Sequence, residues 1–139
     1  KDKRRKFLWG AGMKGCVMAA LSLLVLRCKD IHACKRFYEG FGISFVEEKH
    51  GEGPEHFAAE DSGFVFELYP AGNGPADQTG LGFETHDLDG LHAQFRKNQF
   101  APREIRETEL GRMFILRDPD GRRIEVRQEP GQAEAGSVA

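Results

Sequence analysis

Two glutamates occupy corresponding places in two related stretches of the chain. Glu67 follows FVF and Glu125 follows RRI, and the two stretches align at an offset of 58 residues. A carboxylate on a strand beside a cavity can contact a cationic or hydroxylated ligand, and it can transfer protons when its pKa is raised. It can instead pair with an arginine of its own sheet, because an isolated buried charge costs many kcal/mol. Arg27, Arg123 and Arg127 are the candidate partners, and both interpretations stay open at this stage.

Few of the histidines are placed to bind a metal together with these glutamates. His32 and His92 fall on predicted helices, and His50 lies near a predicted loop where water solvates it. His86 lies at the far end of its predicted strand, about 20 Å from the position that would face the glutamates. His56 lies on a predicted strand beside the cavity, so it is the one candidate for a substitute metal ligand.

Composition excludes several classes of protein. The chain has 139 residues, with 20 Lys and Arg against 22 Asp and Glu, so a net charge of −2 gives no general attraction to nucleic acid. Three cysteines without a CxxC spacing indicate neither a disulfide framework nor a zinc knuckle. Cys28 and Cys34 are therefore predicted to be core residues in a protein of a reducing compartment.

The two ends of the chain differ from its middle. Residues 1–20 begin with KDKRRK and are predicted to form a flexible basic extension. The uninterrupted apolar run from Cys16 to Leu26 has eleven residues, too few to span a membrane. We therefore expect no membrane anchor and no export, hence a cytoplasmic protein. Residues 129–139 are small and polar and are predicted to form a loose tail.

The middle of the chain repeats itself. The segment LLVLRCKDIHACKRFY matches GLGFETHDLDGLHAQF, and HFAAEDSGFVFEL matches FILRDPDGRRIEV. Each copy is too small to bury an apolar face alone, so the copies are expected to pack together in one domain over 21–128. In each copy a strand precedes a helix, which Asp30 or Asp87 is expected to cap, and three strands follow. The predicted modules, 21–69 and 80–128, are therefore both βαβββ units.

Alternation along the strands separates two faces of each predicted sheet. One face is wholly apolar and is expected to lie under the helices. The other combines carboxylates, arginines and glycines. It is predicted to line a ligand cavity, and its candidate ligand-binding residues are Arg27, Glu67, Tyr69, Arg123 and Glu125.

The repeat resembles the vicinal oxygen chelate superfamily, which includes glyoxalase I, bleomycin-resistance proteins and extradiol dioxygenases. The segments LVLRCKDIHACKRFYEGFGI, FELYP, DLDGLHAQF and RDPDGRRIEV carry the resemblance. It implies an α+β fold in which two βαβββ modules form a curved mixed sheet around a cavity, usually in a homodimer. Whether the modules that share a cavity belong to one chain or to two stays open.

The resemblance also implies where a metal would bind. Metal-dependent members take one ligand from each of four strands, and the corresponding positions here are Leu23, Glu67, Gly80 and Glu125. Both carboxylates are present and both imidazoles are absent. Zinc, nickel and ferrous iron favour nitrogen donors beside oxygen, so we expect no metal cofactor.

These observations favour a metal-independent protein that binds a small molecule in the sheet cavity. The alternative is a metal-dependent lyase or isomerase of glyoxalase I or epimerase type, with Glu67 and Glu125 as candidate catalytic residues. An extradiol dioxygenase is a weaker alternative. The expected partners are a small-molecule ligand and a second copy of the chain, with no nucleic acid and no membrane.

Overall fold

The computed structural model describes residues 19–130, so residues 1–18 of the predicted extension and 131–139 of the predicted tail lie outside the described residues. The elements are β1 (Leu23–Cys28), α1 (Ile31–Glu39), β2 (Val46–Glu48), β3 (His56–Asp61), β4 (Phe64–Pro70), β5 (Leu81–Thr85), α2 (Leu88–Lys97), β6 (Arg106–Thr108), β7 (Gly111–Arg117) and β8 (Arg123–Gln128). The predicted α+β class and both βαβββ modules are confirmed.

Each module forms a four-stranded sheet of its own. The strand order is β1-β4-β3-β2 in sheet 1 and β5-β8-β7-β6 in sheet 2. In each sheet the first strand runs parallel to the last, and the other pairs are antiparallel. β2 and β6 have three residues each, and Phe45 and Ile105, which directly precede them, pack against the core.

Aspartates begin both helices, as the sequence predicts. The Asp30 carboxylate accepts hydrogen bonds from the amides of His32 and Ala33, and Asp87 accepts one from Gly90. These side chains satisfy amides that have no partner within the first turn of a helix. The caps fix where each crossover from the first strand begins.

The two modules pack through the faces that carry their helices. The rings of Phe37 in α1 and Phe95 in α2 lie 5.6 Å apart, and Phe41 stacks on Phe83 of β5 at 4.0 Å. A Cβ at Gly40 would lie 2.8 Å from the Phe95 ring, so this close approach of the helices requires glycine. Buried apolar residues of both sheets and both helices therefore form a single core.

We call the side of each sheet opposite the helices its outer face. The outer face of sheet 1 includes Val25, Glu67 and Tyr69, and that of sheet 2 includes Ile115 and Glu125. Since the helix-bearing faces meet in one core, both outer faces point away from it. In place of the one curved sheet that the resemblance implies, this chain has two sheets, each with its own outer face.

A buried arginine joins the two modules. The Arg122 side chain is fully buried and donates to Asp77 at 2.7 and 2.9 Å, to Asp118 at 2.7 Å and to Asp120 at 3.3 Å. It also donates to the backbone carbonyl of Arg27 at the end of β1. We call this set of five residues the Arg122 clamp. It connects the end of β1, the loop between the modules and the β7–β8 turn.

The first helix also reaches the clamp. The Tyr38 hydroxyl donates to Asp118 at 2.6 Å, and burial together with this hydrogen bond raises the pKa of Tyr38. The turn itself depends on Asp118, whose carboxylate accepts from the amides of Asp120 and Arg122, and on Gly121, whose φ of +89° suits glycine. Four segments distant in sequence therefore converge on one guanidinium group.

The Asp77 carboxylate makes stability depend on pH. Burial alone would raise its pKa, but hydrogen bonds from Arg122 and from the amides of Arg27 and Thr79 outweigh burial and hold the pKa well below its ordinary range. Because the folded-state pKa is below the unfolded value of about 3.9, the stability that ionised Asp77 contributes is complete above that value. It is lost as the pH falls through the folded-state pKa.

We expect Asp77→Asn to lower the free energy of unfolding at pH 7 by about 1.5–3 kcal/mol, the contribution of hydrogen bonds to a charged group. The difference from the unmodified chain should shrink as the pH falls below about 4. Urea unfolding over a pH series measures it, with exposed Glu109→Gln as the control. A difference that stays constant to the lowest pH would show that the Asp77 charge contributes nothing.

Candidate functional site

The five predicted ligand-binding residues fall into two groups. Arg27, Glu67 and Tyr69 lie on the outer face of sheet 1, whereas Arg123 and Glu125 lie on that of sheet 2. Glu67 and Glu125 occupy corresponding positions in their modules, as the repeat predicts, but they belong to different sheets. A single chain therefore does not bring the two carboxylates to one site.

Arginines of its own strand engage Glu125. Arg123 donates a short hydrogen bond to one carboxylate oxygen, and Arg127 donates to the other at 3.2 Å. The hydrogen bond from Arg123 and the charges of both arginines lower the pKa of Glu125. A carboxylate held ionised in this way is poorly suited to transfer protons near neutral pH.

The Tyr69 ring lies between two neighbouring side chains. The His56 ring stacks on it at 4.1 Å from the side of β3, and the Arg27 guanidinium lies 5.1 Å from its centroid on the side of β1. Both faces of Tyr69 are thus covered within the chain. A ligand therefore cannot stack on either face of Tyr69 without displacing one of these neighbours.

The metal set that the family resemblance implies does not fit this chain. Leu23 has no donor atom, and its side chain is 51% exposed on the outer face. Gly80 has no side chain, and a Cβ added there would meet only the Arg123 carbonyl at 3.8 Å. Because Glu67 and Glu125 also lie on separate sheets, these four positions provide no metal centre in the chain.

His56 does lie beside Glu67. Its Nε2 atom is 4.0 Å from the Glu67 carboxylate and 3.4 Å from that of Glu48, and the ring is 1% exposed. Glu48 also contacts His50 at 3.2 Å. Glu48 is not recognisable as a site residue from the sequence, because its proximity to His56 depends on the register between β2 and β3.

An aromatic cavity lies on the helix side of the sheets. It has a volume of about 720 Å³ and opens between sheet 1 and β5, with Phe41, Phe64, Phe66 and Phe83 among its lining residues. Exposed Ser44 lies at its rim, and Glu60 and Asp61 at the end of β3 add charge. Its lining is therefore mainly aromatic and aliphatic.

A second cavity, of about 470 Å³, lies at sheet 2. Arg103, Arg106, Arg117 and Arg123 line it, together with Glu104 and Ile115. We call it the arginine concavity. Within the described part of the chain, no ion pair engages Arg103 or Arg106. Four guanidinium groups with one carboxylate among them favour an anionic group, which arginine can bind with two parallel hydrogen bonds.

Comparison with known proteins agrees with this fold. A family model of the Glyoxalase/Bleomycin resistance protein/Dioxygenase superfamily matches residues 20–126. The chain belongs to this superfamily. No curated protein matches the chain. None of the helices over residues 19–130 is long and apolar enough to cross a membrane.

Several solved structures resemble the chain. TnmS3, an antibiotic binding protein from Streptomyces sp. CB03234, is 22% identical with a TM-score of 0.68, and the match covers 81% of this chain and 98% of that one. Lactoylglutathione lyase from Agrobacterium tumefaciens is 20% identical with a TM-score of 0.60, over 79% and 93%. An integron cassette protein from V. cholerae is 28% identical with a TM-score of 0.59, over 81% and 97%. A binding protein and an enzyme thus share this fold.

We expect Arg123→Gln to raise the pKa of Glu125 toward the ordinary glutamate value of about 4.3, because the hydrogen bond from Arg123 is the largest cause of its lowering. NMR titration of the Glu125 carboxyl carbon measures the change. Arg117→Gln, on the same outer face, should leave that titration unaltered. Equal titration curves for the Arg123→Gln protein and the unmodified chain would contradict the ion pair.

Proposed function

We propose that this protein binds a small molecule that carries an anionic group, and that the arginine concavity holds that group. The main support for this proposal is the arginine concavity, in which Arg103 and Arg106 make no ion pair within the described residues. The expected metal-independent binding is supported by the absence of donors at Leu23 and Gly80. TnmS3, which has the same fold, is described as an antibiotic binding protein.

The proposed site is completed by a second copy of the chain. The outer face of sheet 1 exposes apolar side chains, since Leu23 is 51% and Val46 63% exposed. These side chains lie on β1 and β2, the two edge strands of sheet 1, which a second copy would cover. We propose a homodimer in which this face meets the outer face of sheet 2 of the other copy and encloses the ligand between them.

Charge and hydrogen bonding support this pairing. The outer face of sheet 1 carries the carboxylates of Glu48 and Glu67, and that of sheet 2 carries the four arginines of the arginine concavity. Arg127 Nη1 is buried without a hydrogen-bond partner among the described residues. Its acceptor has to come from water, from a ligand or from the second copy. The two outer faces are thus complementary in charge.

The lyase, isomerase and dioxygenase alternatives receive less support from these residues. Each would need a metal that polarises an oxygen of the substrate, and the four family positions do not provide its ligands. Glu125 is held ionised by Arg123 and Arg127, which removes it as a general acid near neutral pH. Binding without turnover is therefore the function that we propose.

An aromatic sulfonate tests the proposal, with 8-anilinonaphthalene-1-sulfonate as the fluorescent probe. We expect Arg103→Gln and Arg106→Gln each to weaken binding about tenfold or more, the loss expected of one hydrogen bond to a charged group. Arg36→Gln, an exposed arginine on α1, is the matched control and should bind as the unmodified chain does. A chelator should not change the affinity.

If the proposed site is wrong, the aromatic cavity on the helix side of the sheets is where the probe would bind. Ser44→Phe places a bulky ring at the rim of that cavity and leaves the arginine concavity unchanged. If Ser44→Phe abolishes probe binding while both arginine variants bind normally, the ligand occupies the aromatic cavity and the proposed site is wrong.

A further inference from the structure

Two histidines and a carboxylate form a cluster at one end of the outer face of sheet 1. Glu48 ends β2, His50 follows in the loop and His56 begins β3. Their ligand atoms all lie within 4.8 Å of one another. Glu67 of β4 adjoins the cluster, with its carboxylate 4.0 Å from His56 Nε2. We call Glu48, His50 and His56 the β2–β3 cluster.

The surroundings of His56 fix which ring nitrogen is available. Nδ1 lies 3.2 Å from the Pro54 carbonyl, an acceptor, so Nδ1 carries a proton and donates it there. The stacking contact with Tyr69 holds the ring plane. Metal-binding histidines typically donate their second N–H to a carbonyl or a carboxylate in this way, which directs the other nitrogen toward the ion.

The remaining nitrogen of His56 has no hydrogen-bond partner. Nε2 is buried, and the only polar groups that face it are acceptors, the carboxylates of Glu48 and Glu67. A lone pair that faces two carboxylates is unfavourable in a desolvated place unless a positive charge lies between them. The imidazole lone pair is thus directed at a position that suits a cation.

The distances suit a small tetrahedral ion. Ligands at 2.0–2.1 Å from zinc are about 3.4 Å from one another in a tetrahedron. Glu48 Oε1 lies 3.4 Å from His56 Nε2 and 3.2 Å from His50 Nε2. Magnesium and calcium prefer sites made of oxygen ligands, so a set of two imidazoles and one carboxylate does not suit them.

We propose that the β2–β3 cluster binds one divalent transition-metal ion of the zinc class, with Glu48, His50 and His56 as its ligands. This set is separate from the four family positions. Three protein ligands leave one position open to water or to an oxygen of a bound molecule. The site goes beyond the proposed function, because the arginines that hold the anionic group lie on the other sheet and need no metal, although in the proposed dimer the two sites face each other across the interface.

A second group with ligand atoms, Cys28, Cys34 and Asp120, does not compete for this metal. A hydrogen bond with Cys28, burial and the neighbouring Asp120 all raise the pKa of the Cys34 thiol. The Asp120 carboxylate of this group is already engaged, since it accepts hydrogen bonds from Arg122 at 3.3 Å and from the Cys34 thiol at 3.3 Å.

Calorimetric titration of Zn²⁺ into the full chain, prepared without a histidine tag and stripped of metal, tests the proposal. We expect one Zn²⁺ per chain. His56→Gln and His50→Gln should each weaken binding by at least about 100-fold, the upper range for loss of a supporting partner of a metal ligand. His50 is exposed, so its replacement keeps the test valid if His56→Gln fails to fold.

His86→Gln is the matched control, since His86 is exposed and lies outside the cluster; it should bind zinc as the unmodified chain does. With Co²⁺ as the probe, the absorption spectrum should lack a thiolate charge-transfer band. Absence of zinc binding would overturn the proposal. So would equal weakening by His86→Gln, or a thiolate band.

Discussion

The orientation of the two modules depends on the buried guanidinium group of Arg122. A charge without water around it needs ionic partners, and Arg122 finds them in Asp77, Asp118 and Asp120. Those partners belong to the loop between the modules and to the β7–β8 turn, and the Arg27 carbonyl adds the end of β1. The clamp can therefore close only when the two modules lie against each other in one arrangement.

That arrangement decides where a ligand can bind. The clamp and the aromatic contacts between α1 and α2 bring the helix-bearing faces together, so the outer faces of both sheets stay free of the core. Glu67 and Glu125 are thereby separated. The same separation gives each outer face a distinct character. Sheet 1 carries apolar groups, carboxylates and the β2–β3 cluster, and sheet 2 carries the arginine concavity.

Much of the fold followed from local patterns in the sequence. The internal repeat, the caps Asp30 and Asp87 and the alternation along the strands predicted both modules and assigned Glu67 and Glu125 to the faces opposite the helices. The caps and the alternation act over a few residues or within one strand, and the repeat shows that both modules follow the same pattern. They predict which face a side chain occupies, and the structure agrees.

The remaining features depend on distant pairings that a single sequence does not record. Arg122 is one of several arginines near a turn until its partner Asp77, 45 residues away, is brought beside it. Glu48 meets His56 only through the register of β2 with β3. Likewise, the alternation that placed Tyr69 on an outer face could not show that His56 and Arg27 cover both sides of its ring.

Complementation between two variants tests most directly whether the site lies between two copies. Val25→Trp obstructs the outer face of sheet 1 and Arg106→Glu reverses a charge on sheet 2, so each variant alone should fail to bind the fluorescent sulfonate. After mixing and subunit exchange, half of the dimers are hybrid and each hybrid has one unmodified site, so about a quarter of the sites should bind again. Recovery of no sites, or full binding by the Val25→Trp protein alone, would show that one chain contains the whole site.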